Sequence, residues 1–399
     1  MLFNIALIII AALVANFLFE KIRLPGILGM IFVGAIFGPN FLNVISPSVL
    51  NLSSDLRIFA LIIILIRAGL GISRTSLNQV GSSVIKMSFI PCIFEGISVG
   101  FLGYYLLGFS VVESGMFGFI ISAVSLAIVV PFMLNLQNGF DEKKILQKNQ
   151  KNQKIQKVKA VVLAGTSMDN VCALTIFAAF LTIYKSGNNN ILSIFIKIPI
   201  SIIFGILIGL VLGFLLVKFF KKYHIRDTKK VLIFVVLCIF FHNLENYFLI
   251  SSLLGIMVMG FVILEKYEIL AKRLSSKFSK IWIFAEIFLF VLIGSQLNIN
   301  LILKSSFLGV IIILAGLLFR SLGVIISLAG SKFNTKEKLF CVISYIPKAT
   351  VQAAIGSIPL ACGMKNGETI LAIAILSILI TAPLGSFGMK ILYTRLLNF

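Results

Sequence analysis

SYIPKATVQAAIGSIPL, residues 344–360, interrupts what would otherwise be a plain apolar helix. Pro347, Pro359, Gly356 and the ionisable Lys348 all stand inside it. Proline has no amide proton for the helix ladder, and glycine loosens the backbone. The stretch therefore predicts a broken helix. A second stretch, SAVSLAIVVPFML (residues 122–134), raises the same expectation through Pro131. In a membrane, irregular backbone is tolerated only where protein buries it or where it lines a cavity. Two such breaks in one chain point to a pathway, provided that the chain spans a membrane.

Composition says that it does. Of the 399 residues 59% are hydrophobic and 12% charged. A soluble domain is closer to half apolar and about a quarter charged. Nearly uncharged runs of about 18 residues or more recur from end to end, each able to cross roughly 30 Å of hydrocarbon. The expected fold is an all-α polytopic membrane protein of about 13 transmembrane helices. Approximate spans are 3–19, 24–40, 56–73, 84–108, 114–136, 158–185, 190–217, 230–247, 250–265, 280–297, 302–329, 338–361 and 368–394. A transmembrane β-barrel would show short alternating segments instead. The first run has no basic residue before it and no small-residue cleavage site, so it reads as a retained helix.

The net charge of +21 would suggest nucleic acid on a soluble protein, but here it has a topological origin. Basic loops follow the fifth, seventh and ninth spans, which places them on one side of the membrane. That side is expected to be cytoplasmic, in contact with anionic lipid headgroups. The N-terminus is then outside and the C-terminus inside a cell (inner) membrane. The lysine- and glutamine-rich stretch 138–159 reads as a solvated connector. The five cysteines form no CxxC pair, and His224 and His242 are far apart, so neither disulfides nor zinc chemistry is implied. No cofactor, no nucleic acid and no enzymatic motif is expected: HExxH and GxGD are both missing.

Ionisable groups within spans cost roughly 2.5–3.5 kcal/mol each at a helix centre, so they mark function or obligatory pairing. They are Arg67, Glu95, Asp169 beside Asn170, Glu286, Arg320 and Lys348. Glu95 and Arg320 have no local partner and are expected to pair with each other, since a guanidinium cannot shed its proton. Arg67 lies near a span end and is expected to snorkel. Glu286 is expected as a partner of Lys348. Asp169 reads as a lone carboxylate. A carboxyl group stranded in low dielectric can hold a proton or a desolvated metal cation, but is poorly accommodated with neither. Asn170 adds a carbonyl oxygen, and Thr166, on the same helical face, a hydroxyl. Such a group is the minimum device for exchanging protons against a hard monovalent cation. The bland alternative pins Asp169 to Lys348 as a strut.

Spans four (Glu95), five (broken) and six (Asp169) form one triplet; spans eleven (Arg320), twelve (broken, Lys348) and thirteen form another. The offset of seven spans is odd, so equivalent spans run oppositely through the membrane. That is the inverted-repeat plan of secondary transporters, whose ion site lies between two discontinuous helices. Lys348 would offset the negative half-helix ends, and Ser122 or Ser125 the positive ones.

At this point the chain resembles the NHA-type sodium/proton antiporters, relatives of the NapA and NhaA exchangers in the cation:proton antiporter superfamily. The resemblance rests on LPGILGMIFVGAIFGP (24–39), LIRAGLG (65–71), PCIFEG (91–96), SAVSLAIVVPFML, GTSMDN (165–170), FLFVLIGSQLNI (288–299), RSLGV (320–324) and SYIPKATVQAAIGS, and covers nearly the whole chain. It implies a homodimer, with a mobile core near 84–185 and 302–394 and a dimerisation scaffold near 1–83 and 190–297. It implies a Glu95–Arg320 salt bridge and an ion site at the span-six pair. The family pattern there is Asp-Asp, where this chain has Asp169-Asn170; the usual serine-proline of span five is Ser125-Leu126.

The expected function is sodium or lithium exchange for protons by alternating access, electroneutral if Asp169 alone binds, serving pH and salt homeostasis. The Asn170 departure motivates the alternative of a transport-impaired or regulatory relative. A channel lacks the carbonyl-loop or charged-ring filter it would need.

Overall fold

The computed structural model describes residues 2–22, 24–71, 82–138, 149–185, 191–223, 225–245, 247–248, 250–297, 299–331 and 333–393. Every regular element among them is a helix: α1 (Leu2–Lys21), α2 (Gly26–Phe37), α3 (Pro47–Asn51), α4 (Ser53–Gly71), α5 (Ser82–Leu107), α6 (Val111–Ser122), α7 (Leu126–Asn138), α8 (Asn149–Lys185), α9 (Ile191–Lys222), α10 (Asp227–Leu244), α11 (Ser252–Lys266), α12 (Glu268–Ser295), α13 (Ile299–Ser327), α14 (Thr335–Ser344), α15 (Thr350–Ile355), α16 (Ile358–Ala361) and α17 (Gly367–Leu392). The protein is an integral, multi-pass, all-helical membrane protein. Eight described segments are long and apolar enough to cross a bilayer. The remaining expected spans are helical but short, broken or more charged, as α2, α15 and α4 illustrate.

Part of the basic sequence expected in loops is helical. From Asn149 the lysine–glutamine stretch is already the start of α8, a 37-residue helix. Likewise α12 begins at Glu268, well before its apolar part. Lysine and glutamine are good helix formers, so a helix that leaves the hydrocarbon has no reason to stop there. At 1.5 Å per residue α8 is about 55 Å long, far more than the apolar slab needs. Residues 139–148, the rest of the expected connector, and His224 lie outside the described residues.

Both expected breaks exist, one of them displaced. The fifth span divides at Ala123–Val124–Ser125, between α6 and α7, whereas Pro131 lies within the helical backbone of α7. Pro131 occupies the sixth position of α7, one turn beyond the point where a missing amide is free of penalty. The twelfth span divides at Tyr345–Ala349, around Pro347, and again at Gly356–Ser357. The two broken spans begin alike. In α6 Ser110 Oγ accepts the Glu113 amide at 3.3 Å while Glu113 Oε2 accepts the Ser110 amide at 2.9 Å. In α14 Asn334 and Glu337 form the same reciprocal box at 2.8 and 2.9 Å. Each box satisfies two orphan amides and fixes where the helix starts. Glu113 also accepts from the Asn366 side chain at 3.1 Å, tying the first broken span to the start of α17.

Two packing groups result. In one, α5 lies against α6, α8 and α13, α6 against α8, and α13 against α17. In the other, α2 and α4 lie against α12, α11 against α4 and α9, and α1 against α2. The second group closes through glycine. A Cβ on Gly34 would strike the Val291 carbonyl, and one on Gly294 that of Ile31. Gly69 and Gly260 meet in the same manner between α4 and α11. Small residues let membrane helices approach backbone to backbone, where dispersion replaces the absent hydrophobic drive.

Candidate ion site at the helix crossing

The two breaks touch. The Ser125 amide donates to the Pro347 carbonyl at 2.8 Å, so one unwound segment hydrogen-bonds the other. The Val124 amide donates to Asn170 Oδ1 at 2.9 Å. The Lys348 amide donates to Thr381 Oγ1 of α17 at 2.9 Å. Backbone donors freed by the breaks thus find partners on α8, α17 and each other, which is what lets irregular backbone persist in hydrocarbon.

The end of α6 releases carbonyls that carry its negative dipole end. Gln352 answers three of them: its Nε2 reaches Ile120, Ile121 and Ala123 oxygens at 3.1, 3.2 and 2.7 Å. The Ser122 carbonyl accepts from Arg320 Nη1, and from Lys348 Nζ at 3.4 Å.

Four ionisable side chains converge there. Arg320 on α13 donates through Nη1 to Glu95 Oε2 at 2.5 Å and through Nη2 to Asp169 Oδ2 at 2.7 Å. Lys348 Nζ donates to the same Glu95 oxygen at 2.6 Å. Glu95, Asp169 and Lys348 are wholly buried and Arg320 nearly so. Burial on this scale demands charge balance, and two acids facing two bases supply it. Arginine's rigid fork suits a pair of acceptors on different helices, which lysine's point charge does not. Tyr345 lies beneath the guanidinium, ring centroid 5.3 Å from Arg320 Cζ, and its hydroxyl donates to the Met87 carbonyl at 3.3 Å.

Asp169 is therefore not the lone carboxylate expected, and Lys348 is not its strut: Arg320 holds it, because one fork reaches both acids. Its second oxygen, Oδ1, has no hydrogen-bond partner among the described residues. Nor do Glu95 Oε1, Ser125 Oγ and Thr350 Oγ1, all buried. Asn170 directs its oxygen at the Val124 amide, leaving Nδ2 without a partner. Thr166 is buried but spends its hydroxyl proton on its own helix, at Val162 O, 2.7 Å. Ser122 Oγ donates to Phe119 O at 3.3 Å and lies 3.5 Å from Cys92 Sγ.

Glu286 does not join. Its electrostatic neighbours are Arg67, Trp282 and Glu20, and Arg67 Cζ stacks 5.4 Å from the Trp282 ring. The expected Glu286–Lys348 pairing is thus corrected: α12 packs in the other helix group, and Lys348 turns to Glu95. Sequence reasoning also passed over Gln352, Tyr345 and Thr381. Gln352 carried a signal, being the one amide in an alanine-rich run; Tyr345 and Thr381 are ordinary span residues until their neighbours are known.

Comparison with known proteins agrees with this architecture. Residues 7–395 match the model of the transmembrane sodium/hydrogen exchanger family. The chain is 32% identical to human sodium/hydrogen exchanger 9B2, covering all of this chain and 75% of that one. It is 27% identical to human sodium/hydrogen exchanger 9B1, covering all of this chain and 78% of that one. The fold is similar to that of the sodium proton antiporter MjNhaP1 from Methanocaldococcus jannaschii, with a TM-score of 0.77 at 18% identity over 99% of this chain and 98% of that one. A helical membrane chain with two crossed breaks, matched along nearly its whole length, belongs to the sodium/hydrogen exchanger family.

Proposed function

We propose that the protein exchanges sodium for protons by alternating access, with Asp169 as the group for which both cations compete. One observation carries the reading: a fully buried carboxylate at the crossing has one oxygen on Arg320 and the other without a partner. The unpartnered neighbours in the two breaks, Ser125 Oγ and Thr350 Oγ1, are hard oxygens suited to a small monovalent cation such as sodium or lithium. Asn170 acts mainly as a strut, accepting the Val124 amide, while Thr166 and Ser122 donate to carbonyls of their own helices.

Charge balance supports an electroneutral cycle. With both acids ionised and both bases protonated, the cluster sums to zero. Sodium at Asp169 raises it by one, and so does a proton. The two loaded forms match, so one-for-one exchange moves no net charge. In each, the arriving cation relieves Asp169 of its need for Arg320, which keeps Glu95 and the Ser122 carbonyl. The helix group bearing the crossing serves as the mobile core and the glycine-sealed group as the scaffold. The matching capping boxes of α6 and α14 support an inverted repeat. In the proposed homodimer, α1 lies at the interface, with Phe3, Ile10, Val14 and Phe17 on its outward side.

Proteoliposomes loaded with a pH dye test the reading. Imposed sodium or lithium gradients should move protons, and potassium should not. A clamped membrane potential should leave the rate unaltered. No sodium-driven proton movement from the chain as given, in either direction, would favour the transport-impaired alternative.

A further inference from the structure

Where a transporter helix breaks, the C-terminal end of the half-helix commonly coordinates sodium through its carbonyls. The end of α6 is already engaged by side chains. Phe119 O accepts from Ser122 Oγ, Ser122 O from Arg320 and Lys348, and the Ile120, Ile121 and Ala123 oxygens from Gln352 Nε2. An amide has two protons for those three oxygens, and the shortest contact, 2.7 Å, goes to Ala123.

That carbonyl belongs to the same peptide group as the Val124 amide, which donates to Asn170 Oδ1 at 2.9 Å. One peptide group in the first break is therefore gripped at both ends. Gln352 of α15 holds its oxygen and Asn170 of α8 holds its nitrogen. Hydrogen bonds in such a chain polarise one another and strengthen together. Asn170 is the chain neighbour of Asp169. Gln352 is 1% exposed, and its Oε1 has no partner among the described residues. The reverse orientation of the amide would set Oε1 against three carbonyl oxygens. A buried amide that leaves its oxygen unpaired is costly, so the donor half is what the fold uses.

We propose that Gln352 is a positioning residue for ion binding. Acting through the Ala123–Val124 peptide on Asn170, it fixes Asp169 relative to Ser125 and Thr350 and holds the crossing at the size of a small cation. This step rests on Asp169 being the ion site, as proposed above. Discrimination among cations of equal charge depends on cavity size and on how rigidly the oxygens are held. Thr350 lies two residues before Gln352, and Ser125 two residues after Ala123; both carry unpartnered buried hydroxyls. They stand on the two segments that Gln352 ties together. Without the clamp those oxygens spread, sodium and lithium lose affinity, and the larger potassium ion gains on them.

The test compares Gln352→Met, which keeps length and volume but donates nothing, with Gln352→Asn, which keeps both amide protons on a shorter arm. One readout is proton flux in proteoliposomes driven by sodium, lithium or potassium. The other is the rise in unfolding midpoint of the detergent-solubilised chain when each chloride replaces choline chloride at constant ionic strength. Sodium and lithium should raise the parent's midpoint and potassium should not; Asp169→Asn should remove the rise. In Gln352→Met the sodium KM should increase roughly tenfold with Vmax within about twofold. Potassium, inert on the parent, should now raise the midpoint and move protons. Gln352→Asn should fall between the two. A strut would lower the midpoint in choline but leave the sodium KM and the cation ranking unchanged. That result overturns the proposal, as does failure of both variants to fold in sodium. Should Gln352→Met alone not fold, a parental KM and ranking in Gln352→Asn overturn it. If no cation moves protons through the parent, yet sodium stabilises it and stabilises Gln352→Met at roughly tenfold higher concentration, the positioning role stands while the exchanger reading falls. If sodium acts on the parent in neither assay, both fall.

Discussion

The crossing and the glycine seams solve the same problem in opposite ways. Both must hold helices together in hydrocarbon, where burying apolar surface gives no advantage over lipid. The seam between α2 and α12 does it by contact, with Gly34 and Gly294 letting backbone meet backbone. The crossing does it with charge: Arg320 and Lys348 on Glu95, Arg320 on Asp169, and Gln352 on the freed carbonyls of α6. Among the described residues, that seam holds no buried side-chain nitrogen or oxygen without a partner. The crossing leaves Asp169 Oδ1, Glu95 Oε1, Ser125 Oγ and Thr350 Oγ1 without partners. Spare buried acceptors are costly in a structure that only has to stay folded. Their concentration at one locus is what separates a site from a strut.

That contrast breaks most directly at Asp169. Asp169→Asn keeps the shape and the Arg320 contact but cannot ionise. Sodium-driven proton movement should fall to that of empty vesicles, while the purified protein keeps its size-exclusion profile. Retained exchange would mean that the carboxylate is only a tether. Glu95→Gln should do the reverse damage. It strips Arg320 and Lys348 of their shared anion, so stability should drop by about 3–5 kcal/mol, the usual result of halving a buried pair. Thermal unfolding of the detergent-solubilised chain reads this. An unfolding midpoint equal to the parent's would show that Asp169 and the Ser122 carbonyl suffice for both bases.

The seam should fail differently. Gly294→Val drives a side chain into the Ile31 carbonyl and should cost about 1–3 kcal/mol, as overpacking does. The surviving folded fraction should bind sodium with an unchanged KM. A raised KM would couple seam and site and erase the distinction. Asn170→Asp tests the crossing more gently. One carboxylate oxygen can keep the Val124 amide, and the added charge lies beside Asp169. The apparent KM for sodium should fall about tenfold, the effect of about 1.4 kcal/mol of added attraction. Exchange should stay one for one, because sodium-loaded and proton-loaded forms still carry equal charge. An unmoved KM would show that residue 170 faces backbone only.

Much of this architecture is legible in the chain itself. Polar residues in apolar runs named Glu95, Asp169, Arg320 and Lys348, because the cost of each in hydrocarbon makes accidents rare. What the sequence cannot display is distance between helices. It assigned Arg320 one partner, whereas the fork reaches two acids on α5 and α8. It placed the first break at Pro131, the residue that disrupts helices locally, yet the break falls at Ala123–Ser125. No residue there forbids a helix. The break is held by Asn170, Pro347 and Gln352, all distant in sequence, so local propensity is overruled by tertiary hydrogen bonds. Gln352 remained unread for the same reason, since an amide in an apolar run shows that a partner exists but not which one.

Glu286 gives the finest test, because it is an intramembrane acid that belongs to neither solution. From the sequence it looked like a partner for Lys348; in the fold it sits beside Arg67, Trp282 and Glu20, on the seam side of the molecule. If function resides where spare acceptors gather, its charge should hardly matter to exchange. Glu286→Gln keeps the volume and still accepts a hydrogen bond, while Arg67 retains its stack on Trp282. The sodium KM should therefore shift by less than about twofold, under about 0.5 kcal/mol, with Vmax preserved. The measurement is the same proteoliposome flux, compared at matched protein density. A KM shift as large as that of Asn170→Asp would mean that a carboxylate outside the crossing tunes the ion site through the packing between the two helix groups. The division between a charged crossing and a silent seam would then have to give way to one electrostatic unit.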